Sequence, residues 1–130
     1  MTRRDKAEIV LACALLPVAL EFVAGARLLG WLRRVPARRG PSPTPEQLAS
    51  GVDRVLRRAP RPWHHSCLRR AVVLAALLRR AGRNAEVVIG VRRAPAGGFE
   101  AHAWLRCDDV EPYLESAPVD AWMTLHPPGA

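Results

Sequence analysis

The run Ser66-Cys-Leu-Arg-Arg-Ala-Val-Val-Leu-Ala-Ala-Leu-Leu-Arg-Arg-Ala-Gly82 decides how the chain is read. Ser66 suits a helix N-cap, since its hydroxyl can accept from an amide left unpaired in the first turn. Gly82 suits the stop. Between them Leu68, Ala71, Val72, Ala75 and Leu78 recur at helical spacing with Leu74 beside them, while Arg69, Arg70 and Arg80 fall largely on the other side. Arg79 projects from the apolar side, in the last turn, where its long stem can carry the charge to water. The spacing therefore predicts a helix with Cys67 in its first turn.

Downstream the period changes from helical to alternating. Residues 85–93, AEVVIGVRR, are β-branched and read as a strand. A loop at 94–98 leads to FEAHAWLR, 99–106, a second strand. There Phe99, Ala101, Ala103 and Leu105 share one face, and Glu100, His102, Trp104 and Arg106 the other. Asp108 and Asp109 mark a turn, and residues 110–115, VEPYLE, read as a third, weaker strand. Residues 122–125 could add another. A helix followed by hairpins of this kind gives an α+β fold, with the cysteine-bearing helix packed on a small antiparallel sheet.

Upstream, Thr44-Pro45-Glu46-Gln47 opens a helix with a cap, a proline at the first position and a capping-box glutamine. Leu48, Val52 and Val55 supply its apolar stripe to about Arg58, before Pro60 and Pro62. Residues 36–44, rich in proline, form a linker. Before it lies a hydrophobic helix within residues 1–35, built on the apolar run 9–20 and extended through Leu28, Leu29, Trp31 and Leu32. Three readings apply to it. The preferred one is a helix packed on the domain or lying on a membrane surface. Ala24-Gly25-Ala26 has the form of a signal-peptidase site. A spanning helix is the weakest, because Pro17 and Glu21 interrupt the run. The expectation is that Met1–Ala26 is retained and the chain is cytoplasmic, with possible peripheral membrane contact through this helix.

Composition bounds the function. With 130 residues, 49% hydrophobic and 25% charged, the chain has the make-up of one globular domain. Cys13, Cys67 and Cys107 are an odd set without a CxxC spacing, which argues against a disulfide scaffold or a cysteine zinc site. No HxxxH or HExxH spacing and no glycine-rich phosphate loop occurs, so neither metal nor cofactor is expected. The net charge is +8, and 19 of the 20 cations are arginine. Residues 1–60 hold 11 cations and 5 acids (+6), residues 61–107 hold 9 and 2 (+7), and residues 108–130 hold 0 and 5 (−5). Such a balance could serve nucleic acid, a membrane surface or an acidic peptide. Nucleic acid is not expected, since no basic–aromatic ladder accompanies the charge.

Cys67 is the candidate nucleophile. A lone cysteine is usually buried packing, but the first turn of a helix stabilises a thiolate through its unpaired amides and dipole. A nucleophilic cysteine needs a base, and the base an orienting group. His102, on a strand against which the helix would pack, is the candidate base. If the turn is centred on Asp108-Asp109, cross-strand partners sum to 217: Arg106 faces Glu111, Trp104 faces Tyr113 and His102 faces Glu115. Pro112 would then fall in a hydrogen-bonded pair that it cannot complete, so a four-residue loop from Cys107 to Val110 is preferred. Glu115 is the candidate acid, with Asp108, Asp109, Glu111 or Asp120 open if a bulge shifts the register. Its plain alternative is a solvated surface charge. His64, His65 and His126 carry no recognisable arrangement.

Taken in order, Trp63-His-His-Ser-Cys67-Leu, Val88-Ile-Gly-Val91 and Ala101-His-Ala-Trp104 resemble the transglutaminase-like leader peptidases of lasso-peptide biosynthesis, similar to the C-terminal domain of the microcin processing protein. The resemblance covers roughly residues 45–116. It implies a transglutaminase-like (papain-like) core over 45–130 and a cysteine peptidase that removes the leader from a ribosomally made precursor. It implies Cys67 as nucleophile, His102 as base and an acid that is usually Asp, so that Glu115 departs by one methylene and Asp120 is the fallback. It also implies a separate leader-recognition protein, for which 130 residues leave no room, and a macrolactam cyclase acting downstream. The competing readings are a non-catalytic peptide-binding subunit of the same fold and a secreted or membrane-associated basic protein without enzyme activity.

Overall fold

The computed structural model describes residues 1–22, 25–60, 66–115 and 122–125. Four helices come first: α1 (Arg3–Phe22), α2 (Gly25–Leu32), α3 (Pro45–Arg58) and α4 (Cys67–Arg80). Three strands follow: β1 (Ala85–Arg93), β2 (Phe99–Cys107) and β3 (Met123–Leu125). The strands form one antiparallel sheet in the order β2-β1-β3. The fold is α+β, helices packed on a small sheet, as the change of period predicts.

The helix ends follow their caps. Thr44 accepts from the Gln47 amide and its own amide donates to the Gln47 side chain, which completes the capping box of α3. Ser66 caps α4 by accepting from the Arg69 amide at 3.2 Å. The middle of α4, from Ala71 to Leu78, is buried all round, because α1, α3 and the sheet all pack on it. Val52, Leu56, Val72, Leu74 and Leu78 are fully buried there with Leu105 of β2. Burial of each such side chain contributes about 1.5–3 kcal/mol.

α1 belongs to the same core. Ile9, Cys13 and Leu16 join the cluster around α4. Gly51 lets α3 approach closely: a Cβ there would lie 2.9 Å from Ile9 Cδ1. The acidic side of α1 is tied down by the linker. Arg38 lies 2.8 Å from Asp5 and donates to Glu8 at 2.5 Å and to the Pro41 carbonyl at 2.9 Å, and Arg80 of α4 also donates to Glu8. Burial works against the Glu8 charge, yet the Arg80 and Arg38 guanidiniums hold its carboxyl below the usual range. Arg79, expected to reach water, instead donates to the carbonyls of Ala85 and Arg33 and to the Asn84 side chain.

Two expectations fail at 107–115. The loop has two residues, not four: Cys107 and Val110 exchange both backbone hydrogen bonds around Asp108 and Asp109, whose φ values of 48° and 67° are those of a primed hairpin turn. Residues 110–115 then do not continue as a strand. The next hydrogen-bonded rung would set Pro112 against Leu105, and Pro112 has no N–H. The Tyr113 amide supplies the bond to the Leu105 carbonyl instead, at 2.8 Å, so the chain slips by one residue and leaves the ladder. Leu114, at φ 60°, turns it further. The third strand is Met123–Leu125, on the other edge of β1, where Gly90 pairs with Thr124.

Candidate active site

Cys67 is the first residue of α4, half-buried at the helix end where the backbone amides point outward. The first of the helical ladder bonds runs from the Arg70 amide to the Ser66 carbonyl, at 2.9 Å. The Cys67 amide precedes it, among the unpaired donors of the first turn.

His102 lies in the middle of β2, opposite Gly90 of β1. Its Nε2 is 3.0 Å from Glu115 Oε1. The imidazole packs beside two indoles in a three-ring cluster, with ring centres 5.7 Å from Trp104 and 5.4 Å from Trp122, and the indoles 6.4 Å from each other. The His102 face of β2 is therefore not a wet polar face. Trp104 is fully buried on it, while Ala103 and Leu105 on the opposite face enter the core shared with α4. Gly90 makes room for this cluster. A Cβ at Gly90 would lie 2.5 Å from Trp104 Cη2 and 3.0 Å from Trp122 Cβ. Arg92 covers the outer side of Trp122, with its guanidinium carbon 4.3 Å from the ring centre.

The segment that leaves the sheet at Pro112 carries both acids on this face. Glu111 accepts from Trp104 Nε1 at 2.7 Å, and Glu115 meets His102. Arg70 holds the segment in place. Its Nε donates to Asp53 of α3 at 2.8 Å and its guanidinium also donates to the Leu114 carbonyl at 3.0 Å, one residue before Glu115.

Cys67, His102 and Glu115 line one cavity of about 450 Å³, together with Asp53, Arg57 and Arg70. The structure thus brings the three sequence candidates to one place. No hydrogen bond joins the Cys67 thiol to the His102 ring. Of the other acids considered, Asp108 and Asp109 occupy the turn and Glu111 is taken by Trp104; Asp120 lies outside the described residues, as do Trp63, His64, His65 and His126. Sequence reasoning missed Arg70, which looked solvated, and the role of Gly90. An isolated glycine inside a strand marks a close approach, and that signal was present.

The other two cysteines sit elsewhere. Cys13 is buried in α1, and burial pushes its thiol up to about 12. Cys107 is buried at the end of β2, and burial raises its thiol as well. Among the described residues no group of three His, Cys, Asp or Glu is placed to hold a metal ion.

A half-buried cysteine at a helix start thus lines the same cavity as a strand histidine with its own carboxylate. A family model described as the transglutaminase-like superfamily matches residues 12–122. The chain belongs to the transglutaminase-like superfamily. The match begins within α1, well before the region that carried the sequence resemblance, in keeping with the packing of α1 into the common core. Members of this superfamily are commonly cysteine-peptidase-like. No curated protein and no solved structure matches the chain.

Proposed function

We propose that this transglutaminase-like protein is a cysteine peptidase that removes the leader from a lasso-peptide precursor, with Cys67, His102 and Glu115 as its catalytic residues. The observation that carries the reading is the shared cavity: a cysteine at a helix N-terminus and a histidine already paired with a carboxylate open onto the same space. Superfamily membership supports peptidase chemistry; the ordered motifs around Cys67, Val88–Val91 and His102 support the leader-peptidase branch.

The geometry suggests the division of labour. With Nε2 donating to Glu115, Nδ1 is the nitrogen left to act as base. His102 takes the thiol proton through Nδ1, and Cys67 Sγ attacks the carbonyl at the leader–core junction. The developing oxyanion is met by the Cys67 amide and the dipole of α4. The His102 imidazolium gives its proton to the departing core-peptide amine, which leaves the leader as a thioester on Cys67. His102 then activates water, which releases the leader acid and restores the thiol. Glu115 keeps the imidazole in the working tautomer throughout. The two indoles pack against the imidazole and shield it.

A leader-recognition protein would present the precursor, and a macrolactam cyclase would take the freed core peptide. The net charge of +8 suits an acidic leader or partner. A cytoplasmic location follows from those partners. Among the described residues no helix is long and apolar enough to cross a membrane.

One observation favours a second reading. The thiol and imidazole are not in direct hydrogen bond, as a peptide-binding subunit without activity would allow. Incubating precursor with the wild-type chain and its leader-binding partner separates the two: the peptidase releases free leader, while a binding subunit retains intact precursor. Catalytic hydrogen bonds often tighten only in the substrate complex.

A further inference from the structure

α1 is apolar on two opposite faces. Ile9, Cys13 and Leu16 point into the core. On the other side Leu11, Leu15, Val18 and Phe22 recur at helical spacing, and Arg4 heads the same stripe. Leu11 is 58% exposed, Leu15 59% and Phe22 85%, and Val10 is exposed beside them. On α2, Trp31 is 53% exposed between the exposed Arg27 and Arg34. A helix with two opposite apolar faces has a second face to cover, and large exposed apolar stripes mark an interaction surface.

The charges around this stripe define its partner. Arg3, Arg4 and Lys6 are exposed at the start of α1. The acids of α1 do not offset them. Asp5 and Glu8 are turned to Arg38 and Arg80 on the inner side, and Glu21 pairs with Arg69 of α4 at 3.7 Å. What remains outward along the stripe is Leu11, Leu15, Phe22 and Trp31, with arginine at both ends; Glu21, exposed beside Phe22, has its charge offset by Arg69. That composition matches a helix lying in the plane of a bilayer interface, apolar side chains in the acyl boundary and guanidiniums among anionic headgroups. Pro17 and Glu21 interrupt the apolar run of α1, and no helix among the described residues is long and apolar enough to cross a membrane, which favours lying over spanning.

We infer that the outer face of α1, with the exposed end of α2, is a docking surface for an anionic lipid bilayer. The surface attaches the protein peripherally and is separate from the cavity that holds Cys67 and His102. It needs no change in the core, because the residues it uses are already outside it.

The test uses the full chain and sedimenting vesicles of two kinds, phosphatidylcholine alone and one part phosphatidylglycerol to two of phosphatidylcholine. The chain should bind the anionic vesicles and not the neutral ones, and release at high salt. Leu11→Gln with Leu15→Gln should abolish binding while the circular dichroism spectrum and melting temperature stay those of the parent, since both side chains are outside the core. Arg3→Gln and Arg4→Gln should weaken binding about fivefold each. The proposal is overturned if the chain ignores anionic vesicles, or if the double leucine variant binds as well as the parent. It is overturned equally if the chain forms a dimer in solution that the leucine changes disperse, because the stripe then covers a second copy.

Discussion

His102 Nε2 and Glu115 Oε1 lie 3.0 Å apart although their residues are not partners on paired strands. The hairpin starts in the register that would set them opposite, with Cys107 bonded to Val110, and then breaks at Pro112. Glu115 reaches His102 by a bent segment held by the Tyr113 amide on Leu105 and by Arg70 on the Leu114 carbonyl. The contact thus depends on α4 as well as on the sheet.

Glu115→Gln should keep the fold and lower turnover. Loss of the equivalent charge costs a serine triad about four orders of magnitude, and a cysteine nucleophile, being more acidic, should lose less. Glu115→Asp should retain part of the activity. Asp120→Asn should be near neutral. Rates of leader release for the three variants check this; the opposite ranking of Glu115→Gln and Asp120→Asn would move the acid into the tail.

Arg70→Met should act through the position of Glu115. It removes both the Asp53 pair and the bond to the Leu114 carbonyl. We expect kcat to fall by about 10- to 100-fold, the range for a small misplacement of catalytic groups, with KM little changed. Arg70→Lys should not rescue, since an ammonium lacks the planar fork that spans the two partners. A loss confined to KM would show that Arg70 binds substrate instead.

The helical half of this molecule was legible because its signals are local. Thr44, Gln47, Ser66 and Gly82 act within a turn of where they stand, and the apolar positions from Ala71 to Leu78 are set by helical geometry, although Leu68, expected on the same stripe, is exposed. The meeting of His102 with Glu115 was also legible, but for an incomplete reason: counting from the turn is right for one rung and then fails at Pro112. Arg70, Arg79 and Arg38 were hidden because each works through partners far along the chain, such as Leu114 for Arg70 and Glu8 for Arg38. The face of Trp104 reads as polar from alternation with His102, but Trp122, just ahead of β3, and Glu111 pack against it.

Gly90→Ala should destabilise the protein and impair the site together. The new methyl would collide with the Trp104 ring, which is buried and cannot swing away without disturbing His102. Overpacking of this kind costs about 1–3 kcal/mol. The urea midpoint should fall with the slope unchanged. An unchanged midpoint would contradict the close approach of Gly90 to the Trp104 ring.

Acid should unfold the chain through α1. Hydrogen bonds from Thr2, ahead of the Arg38 contact, lower the Asp5 carboxyl, and Arg80 and Arg38 lower Glu8 against the effect of burial. Groups whose folded pKa is depressed add stability above their unfolded values and lose it as pH falls through the folded ones. Stability should therefore be flat near neutrality and drop below the ordinary carboxylate values of 3.8 and 4.5. Arg38→Ala should be less stable at pH 7 and show a shallower acid slope. Melting curves across that range distinguish this from a slope that Arg38 does not affect.

The most direct measurement replaces one atom. Cys67→Ala removes the sulfur from a half-buried helix start, so the circular dichroism spectrum and melting temperature should match the parent. Mixed with precursor peptide and the leader-binding partner, the variant should leave the precursor uncut by mass spectrometry, while the wild type, Cys13→Ala and Cys107→Ala release leader. A Cys67→Ala protein that still cuts the precursor at near the wild-type rate would contradict the account.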